Sequence, residues 1–260
     1  MMRAISTATT GMQAQESKLD QIANDMANMN TNAYKKGRTE FHDLMYQTIK
    51  EPGRGPAGLD TPVGVQVGSG SRVAAQYFVF EQGPTQVTNG LFDVAISGDG
   101  FFAVQRPDGQ IAYTRDGNFT LDGQGRLVNK SGFPVVPPIQ VPQGTTGVVI
   151  APNGEVKVTD SKNQEQVVGQ ISLVSFINPS ALKSIGGNLL EPSSAAGPAV
   201  QGTPGENGMG GLQQGALEAS NVNPTESVMS MIKAQRVFEG NAKIGTTADQ
   251  MWQSINNIAK

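Results

Sequence analysis

Three aspartates set beside glycines, Asp99, Asp116 and Asp122, and a single histidine, His42, are the side chains of this sequence best suited by type to do chemistry. Two carboxylates facing one another across a cleft would supply the acid and base of a glycoside hydrolase. The Asp-Gly repeats in "SGDG", "RPDG", "RDGN" and "LDGQG" also invite a calcium loop. They match neither an EF-hand loop nor the calcium-binding β-helix repeat. Asp-Gly between alternating apolar residues is instead a hairpin signal, because both residues tolerate positive φ. The expected role of all three aspartates is conformational, with a secreted β-domain glycosidase or sugar-binding module as the alternative they leave open.

His42, in "TEFHDLMYQ", would have to be the base of any Ser-His-Asp hydrolase, yet no nucleophile elbow lies near it. A surface or packing role is expected. The absence of cysteine excludes disulfides, thiol nucleophiles and thiolate metal sites, and one histidine excludes a multi-histidine metal cluster. The glycine-rich passage "TPGENGMGGLQQG" lacks the Gly-Lys-Ser/Thr ending of a phosphate loop. No catalytic residue, metal or cofactor is expected, and the chain reads as a non-enzyme. A net charge of −3 gives no electrostatic case for nucleic acid or an anionic membrane surface. No window is apolar enough to insert into a bilayer. The opening "MMRAISTATTGMQAQ" has no apolar signal core, which reads as cytoplasmic unless a dedicated machine exports the chain.

The elements around these residues fall into three regions. Ile5, Ala8, Met12, Gln15, Leu19, Ile22, Met26 and Met29 recur at spacings of three and four, the a/d pattern of a coiled-coil seam. Near the other end, Asn221, Asn223 and Pro224 mark a helix start, with Glu226 three residues after the capping Asn223. Val237, Asn241, Ile244, Ala248, Met251, Ile255 and Ile258 then step by four and three. Gly11, Gly240 and Gly245 weaken both helices by about 1 kcal/mol each relative to alanine. The two ends are therefore read as assembly elements that pair along one apolar seam, and the small residues leave room for other helices. Between them the period changes to two over about residues 73–220, as in "FFAVQRPDGQIAYTRDGNFTLDGQGRLV". The fold class expected is α+β, with N- and C-terminal coiled-coil helices pairing around an inserted all-β domain. The expected segments are 1–35, helix; 36–72, connecting and extended; 73–220, β-rich; and 221–260, helix.

Residues 46–72, "YQTIKEPGRGPAGLDTPVGVQVGSGSR", are too rich in glycine and proline for a helix and too long for a simple connection. "NDMANMNTNAYKK" ends the first helix with a cluster of Asn and Thr, which hydrogen-bond the local backbone, and Asn accepts left-handed conformations.

At three motifs the chain resembles the rod and hook axial proteins of the bacterial flagellum. "LDQIANDMANMNTNAYKKGRTEF" is similar to the N-terminal signature of that family and places Ala27, Asn28, Thr31, Tyr34 and Lys35 on its positions. The others are "LFDVAISGDGFFAV…YTRDGNFTLDGQGRLV" and "GALEASNVNPTESVMSMIKAQRVFE". "FHDLMYQTIKEPG…GVQVGSG" resembles the segment that separates distal rod subunits from hook subunits, and Phe238 and Gly240 are modest departures from the pattern.

The resemblance implies a structural subunit of the distal rod with no chemistry of its own. It would be a helical homopolymer of the chain with itself, transmitting torque from motor to hook and serving as an export channel. Ile5, Met12, Leu19, Ile22, Met26, Ile244, Met251, Ile255 and Ile258 would form the inner assembly helices. Residues 27–35 would mark where the chain leaves the inner tube, and Tyr46, Gln47, Pro52, Gly53, Pro62 and Gly64 would lie in a rod-stiffening segment. The implied partners are the proximal rod protein, the hook protein, the L- and P-ring proteins, the rod cap protein and the type III export apparatus. The chain would cross the periplasm in the basal body without a cleaved signal peptide. A hook or proximal rod subunit is the alternative within the family.

Overall fold

A computed structural model describes residues 2–51, 53–54, 60–61, 63–160 and 164–258. Helix α1 spans Met2–Ala27 and helix α2 spans Pro224–Ile258, with short strands making up most of the regular structure between them. The class is α+β, a β-rich insert between terminal helices. The chain divides into two compact units: residues 1–27, 37–77 and 223–260 in the first, and 28–36 with 78–222 in the second. These limits differ from those expected, because residues 28–36 bond into the β unit while 37–77 belong with the helices.

In the first unit α1 and α2 pack against each other. Their meeting faces are built from small side chains. Ala8 of α1 and Ala234 and Ala248 of α2 are buried, as is Ile22, while the buried Ala14 shares its helix face with Thr10, Gln21 and Asp25, which meet the strands. A Cβ on Gly11 would stand 2.7 Å from Asn241 Nδ2. Ala8, Ile22, Asn241 and Ala248 of the expected seam lie at this contact, while its larger members on α2 stay about half or more exposed. Small residues let two backbones approach closely, and Ile244 and Met251 are left at the rim of the contact, half exposed. Asp25, buried on α1, accepts hydrogen bonds from Gln21 Nε2 at 2.8 Å and from the Gly37 N–H at 3.0 Å.

The first unit also contains a ribbon. Strand Gln47–Lys50 pairs antiparallel with Val65–Val67, and the backbone of Gly53–Arg54 pairs with Asp60–Thr61. Strand Gly37–Asp43 pairs with Ser71–Phe78. Among its described residues, the segment expected to be extended thus contains paired strands.

The second unit is built on a seven-stranded sheet in which Phe101–Gln105 is central. It pairs antiparallel with Ile111–Thr114 on one side and Leu173–Ser175 on the other. Alternation along this strand serves two cores. Phe102 and Val104 enter one with Ile96, Ile139 and Leu173, while Phe101 and Ala103 enter another with Tyr113, Val174 and Phe176. A three-stranded sheet, Thr145–Ile150, Glu155–Asp160 and Glu165–Gln170, adds Val156 and Val158 to the first core.

The turns are only partly those expected. Asp108–Gly109 does join two paired strands, with Gly109 at φ +82°. At 122–125 the left-handed residue is Gly125, not Gly123, because Asp122 Oδ1 accepts from the Gln124 and Arg126 N–H groups and moves the turn along. Asp116–Gly117 is no hairpin turn. A Cβ on Gly117 would lie 1.7 Å from the Val94 carbonyl oxygen, so glycine is needed for close approach.

Candidate functional site

Asp116 and Asp122 are committed to bonds with the local backbone. Asp116 Oδ1 accepts from the Asn118 N–H at 3.1 Å, and burial pushes its carboxyl above the usual range. The Arg126 and Gln124 N–H groups and the Arg126 guanidinium hold Asp122 below that range. Asp99 and His42 are exposed. Among the described residues no group of three or more His, Cys, Asp or Glu is placed to hold a metal ion. The candidate sites are surfaces and seams.

The first is the large apolar stripe of α2. Ile244, Met251 and Trp252 are each 52% exposed, Ile255 is 51% and Ile258 is 85%. Val237 and Met229 are also exposed. Beside the stripe lies a groove of about 410 Å³ lined by Ala4 of α1 and by Lys243, Ile244, Thr247, Ala248 and Met251 of α2. Gly11 meets Asn241, and Ala4 shares the groove with Thr247, Ala248 and Met251, so the helices run antiparallel and the last turns of α2 extend past the start of α1. On α1, Ile22 is buried, while Ile5, Met12, Leu19 and Met26 are half-buried. The helix pair therefore covers the α1 stripe in part and leaves the α2 stripe largely bare. At the start of α2, Asn223 Oδ1 accepts from the Thr225 and Glu226 N–H groups at 3.0 and 3.4 Å, with Pro224 at the first helical position.

The second is the ribbon of residues 46–72. Tyr46 and Gln47 are exposed, as are Met45, Ile49, Val63 and Val65, and Gly64 is half-buried. Gly53 lies in a strand, while Pro52 and Pro62, and Pro56 with them, lie outside the described residues. The base of the ribbon rests on α1. Gly70 has φ +110°, and a Cβ there would stand 2.1 Å from Thr10 Oγ1 and 3.5 Å from the Thr7 Cα. Leu44 N–H bonds the Gly70 carbonyl at 2.8 Å.

The third is the seam within the β unit where the chain leaves α1 and returns toward α2. After Ala27 the helix stops, and the Thr31 N–H bonds the Asn28 carbonyl at 3.0 Å. The left-handed residue here is Ala33, at φ +56°, rather than one of the asparagines. Its N–H bonds the Glu218 carbonyl at 2.8 Å, and that partner holds the strained conformation. Tyr34 packs edge-on against Phe78 at 6.2 Å. Lys35 Nζ meets Glu218 Oε1 at 2.5 Å and the Glu81 carbonyl at 2.6 Å. Glu218 Oε1 also accepts the Gly83 N–H at 2.9 Å, and Oε2 accepts Arg115 Nε at 2.9 Å. The Lys35, Arg115 and Glu218 side chains are 4%, 3% and 0% exposed. Two buried cations thus share one carboxylate. Burial, with Arg115 adding repulsion, holds the Lys35 ammonium below its ordinary pKa despite Glu218.

Asn221 lies in this seam and not at the helix start assigned to it. Its Oδ1 accepts the Lys36 N–H at 2.7 Å and its Nδ2 donates to the Val79 and Glu81 carbonyls at 3.0 and 3.1 Å. Sequence reasoning missed Glu218 and Arg115. The available signal was a lone acid in the apolar run Ala216–Leu217–Glu218, where burial demands a partner.

Comparison with known proteins agrees with this arrangement. The flagellar hook protein FlgE/F/G D1 domain matches residues 95–158, and the flagellar basal body rod FlgEFG protein C-terminal domain matches residues 213–258. The flagellar basal-body rod protein FlgG of Borreliella burgdorferi is 45% identical, over 100% of both chains. FlgG of Buchnera aphidicola subsp. Acyrthosiphon pisum is 43% identical over 99% of this chain and 100% of its own, and that of Bacillus subtilis 37% identical over 100% of both. With a β-rich insert between two terminal helices and full-length identity at this level, the chain belongs to the flagellar rod and hook axial family, on the branch of the basal-body rod proteins FlgG.

Proposed function

We propose that the chain is a structural subunit of the flagellar distal rod, polymerising into a stiff helical tube that carries torque from motor to hook and whose bore is an export channel. The observation that carries this reading is the bare stripe of α2. Ile244 and Met251 stay half exposed beside α1, and Trp252, Ile255 and Ile258 stay half or more exposed where α2 runs past it. Full burial of such a side chain is worth about 1.5–3 kcal/mol, so covering a half-exposed one gains roughly 1 kcal/mol. A patch of this kind marks an interaction surface, and identical subunits joined head to tail through non-closing contacts form a helical tube. The seam motif Ala27, Asn28, Thr31, Tyr34 and Lys35 would mark the exit from the inner layer, and the ribbon with Tyr46, Gln47 and Gly64 would wedge between neighbouring β units and stiffen the tube.

The neighbours of this rod would be the proximal rod protein below, the hook protein and rod cap protein above, and the L- and P-ring proteins around it. The chain would reach the rod through the type III export apparatus, without a cleaved signal, and would cross the periplasm there. The test is electron cryotomography of basal bodies in cells lacking the chain. A rod that stops short, with no hook, supports the reading, and a full-length rod bearing a hook refutes it.

A further inference from the structure

We infer that residues 28–36 and 216–222 form a strap that closes as part of the β unit, with Glu218 as its buckle, so that the attachment points of both terminal helices are fixed side by side before those helices pair. The inference does not depend on what the chain assembles with. It rests on where the bonds of the strap go. Ala33 N–H bonds the Glu218 carbonyl at 2.8 Å, Asn221 N–H the Tyr34 carbonyl at 3.3 Å, and Val79 N–H the Lys36 carbonyl at 2.9 Å. Asn221 adds side-chain bonds to Lys36, Val79 and Glu81. The Glu218 carboxylate takes Lys35 from the outgoing segment and Gly83 and Arg115 from the body of the unit. Each of these partners lies within the β unit.

The energetics point the same way. A buried carboxylate is tolerated only when its oxygens are satisfied, and the groups that satisfy Glu218 come together only when both strands are seated. Ala33 holds φ +56° at its own cost, which the bond to Glu218 offsets. Residues 34 and 221 are hydrogen-bonded to each other, so the chains leading to Ala27 and Asn223 leave the unit as neighbours. Two helices tethered this closely meet at an effective concentration on the order of millimolar or above. Their pairing then becomes an event within one chain, even where the small-residue interface alone is weak.

Hydrogen exchange on the full chain tests this. Ala8→Glu combined with Ala234→Glu separates the helices, because both alanines are buried in the pair. The α1 and α2 amides should then lose protection, while the Ala33, Lys36, Val79 and Asn221 amides keep their wild-type rates. Glu218→Gln should accelerate those four by at least about tenfold, the loss of one charge-assisted bond, and leave Phe102 and Leu173 slow. Asn221→Ala, which spares the ion cluster, should accelerate the same amides and serves if Glu218→Gln does not fold. Strap amides that exchange as fast as the helices in the Ala8/Ala234 variant would overturn the inference. Unchanged strap rates in both Glu218→Gln and Asn221→Ala would overturn it as well.

Discussion

Gly11 of α1 and Asn241 of α2 meet so closely that a Cβ on the glycine would lie 2.7 Å from the amide nitrogen of the asparagine. The helix pair is set by this approach rather than by its largest side chains. Gly11→Leu should force the helices apart and destabilise the pair by about 1–3 kcal/mol, the usual cost of overpacking. Asn241→Ala in the same chain should recover part of the loss. Thermal unfolding followed by circular dichroism at helix wavelengths measures both, and a Gly11→Leu chain that melts like wild type would contradict the close-approach reading.

Within the buried cluster the three charges are not equivalent. Glu218→Ala leaves Lys35 and Arg115 both without their carboxylate and should cost about 3–5 kcal/mol. Lys35→Met leaves one cation against one carboxylate and should cost clearly less. Denaturant midpoints of the two variants give the comparison. Equal losses would mean that the carboxylate is not shared as described.

The pH dependence follows from Lys35. Its folded pKa is lowered below the ordinary lysine value of 10.5, chiefly by burial, so between the two values the unfolded chain binds the extra proton. The penalty for the buried ammonium is fully present below the folded pKa and is relieved as pH rises toward 10.5. Wild type should therefore gain stability relative to Lys35→Met across that window, by at most about 1.4 kcal/mol per pH unit. Urea unfolding of both proteins from neutral to alkaline pH measures the difference, and a constant gap would contradict it.

Residues 46–66 should be dispensable for folding of the β unit but not for rod stiffness. Their deletion is expected to give curved or flexible polymers in negative-stain micrographs. Straight, rigid polymers from the deleted chain would remove the stiffening role.

The sequence shows the elements more clearly than their partners. Asn223, Pro224 and Glu226 announce the start of α2, and the cap bonds are present. The change to period two announces the β-rich insert but not that Phe101 and Phe102 would enter two different cores. A three-and-four spacing finds the stripe of Ile244, Met251 and Ile255 but cannot say what covers it, and within the chain the smaller Ala234 and Ala248 win the contact. Asparagine was the natural choice for a left-handed residue after α1, yet a bond from Glu218 places that conformation on Ala33. The partners of Glu218 were illegible because Lys35, Gly83 and Arg115 lie 183, 135 and 103 positions away. The ladder inside residues 46–72 was hidden for a related reason: short glycine-rich strands are defined by what they pair with.

If the exposed stripe of α2 drives assembly, Met251→Asp combined with Ile255→Asp should block it. The purified full chain is concentrated and followed by sedimentation velocity and electron microscopy, with the melting of the β unit as a folding control. The account predicts that wild type forms tubes while the double variant stays monomeric with an unchanged β-unit melt. Tubes forming from the double variant at the wild-type concentration would contradict it.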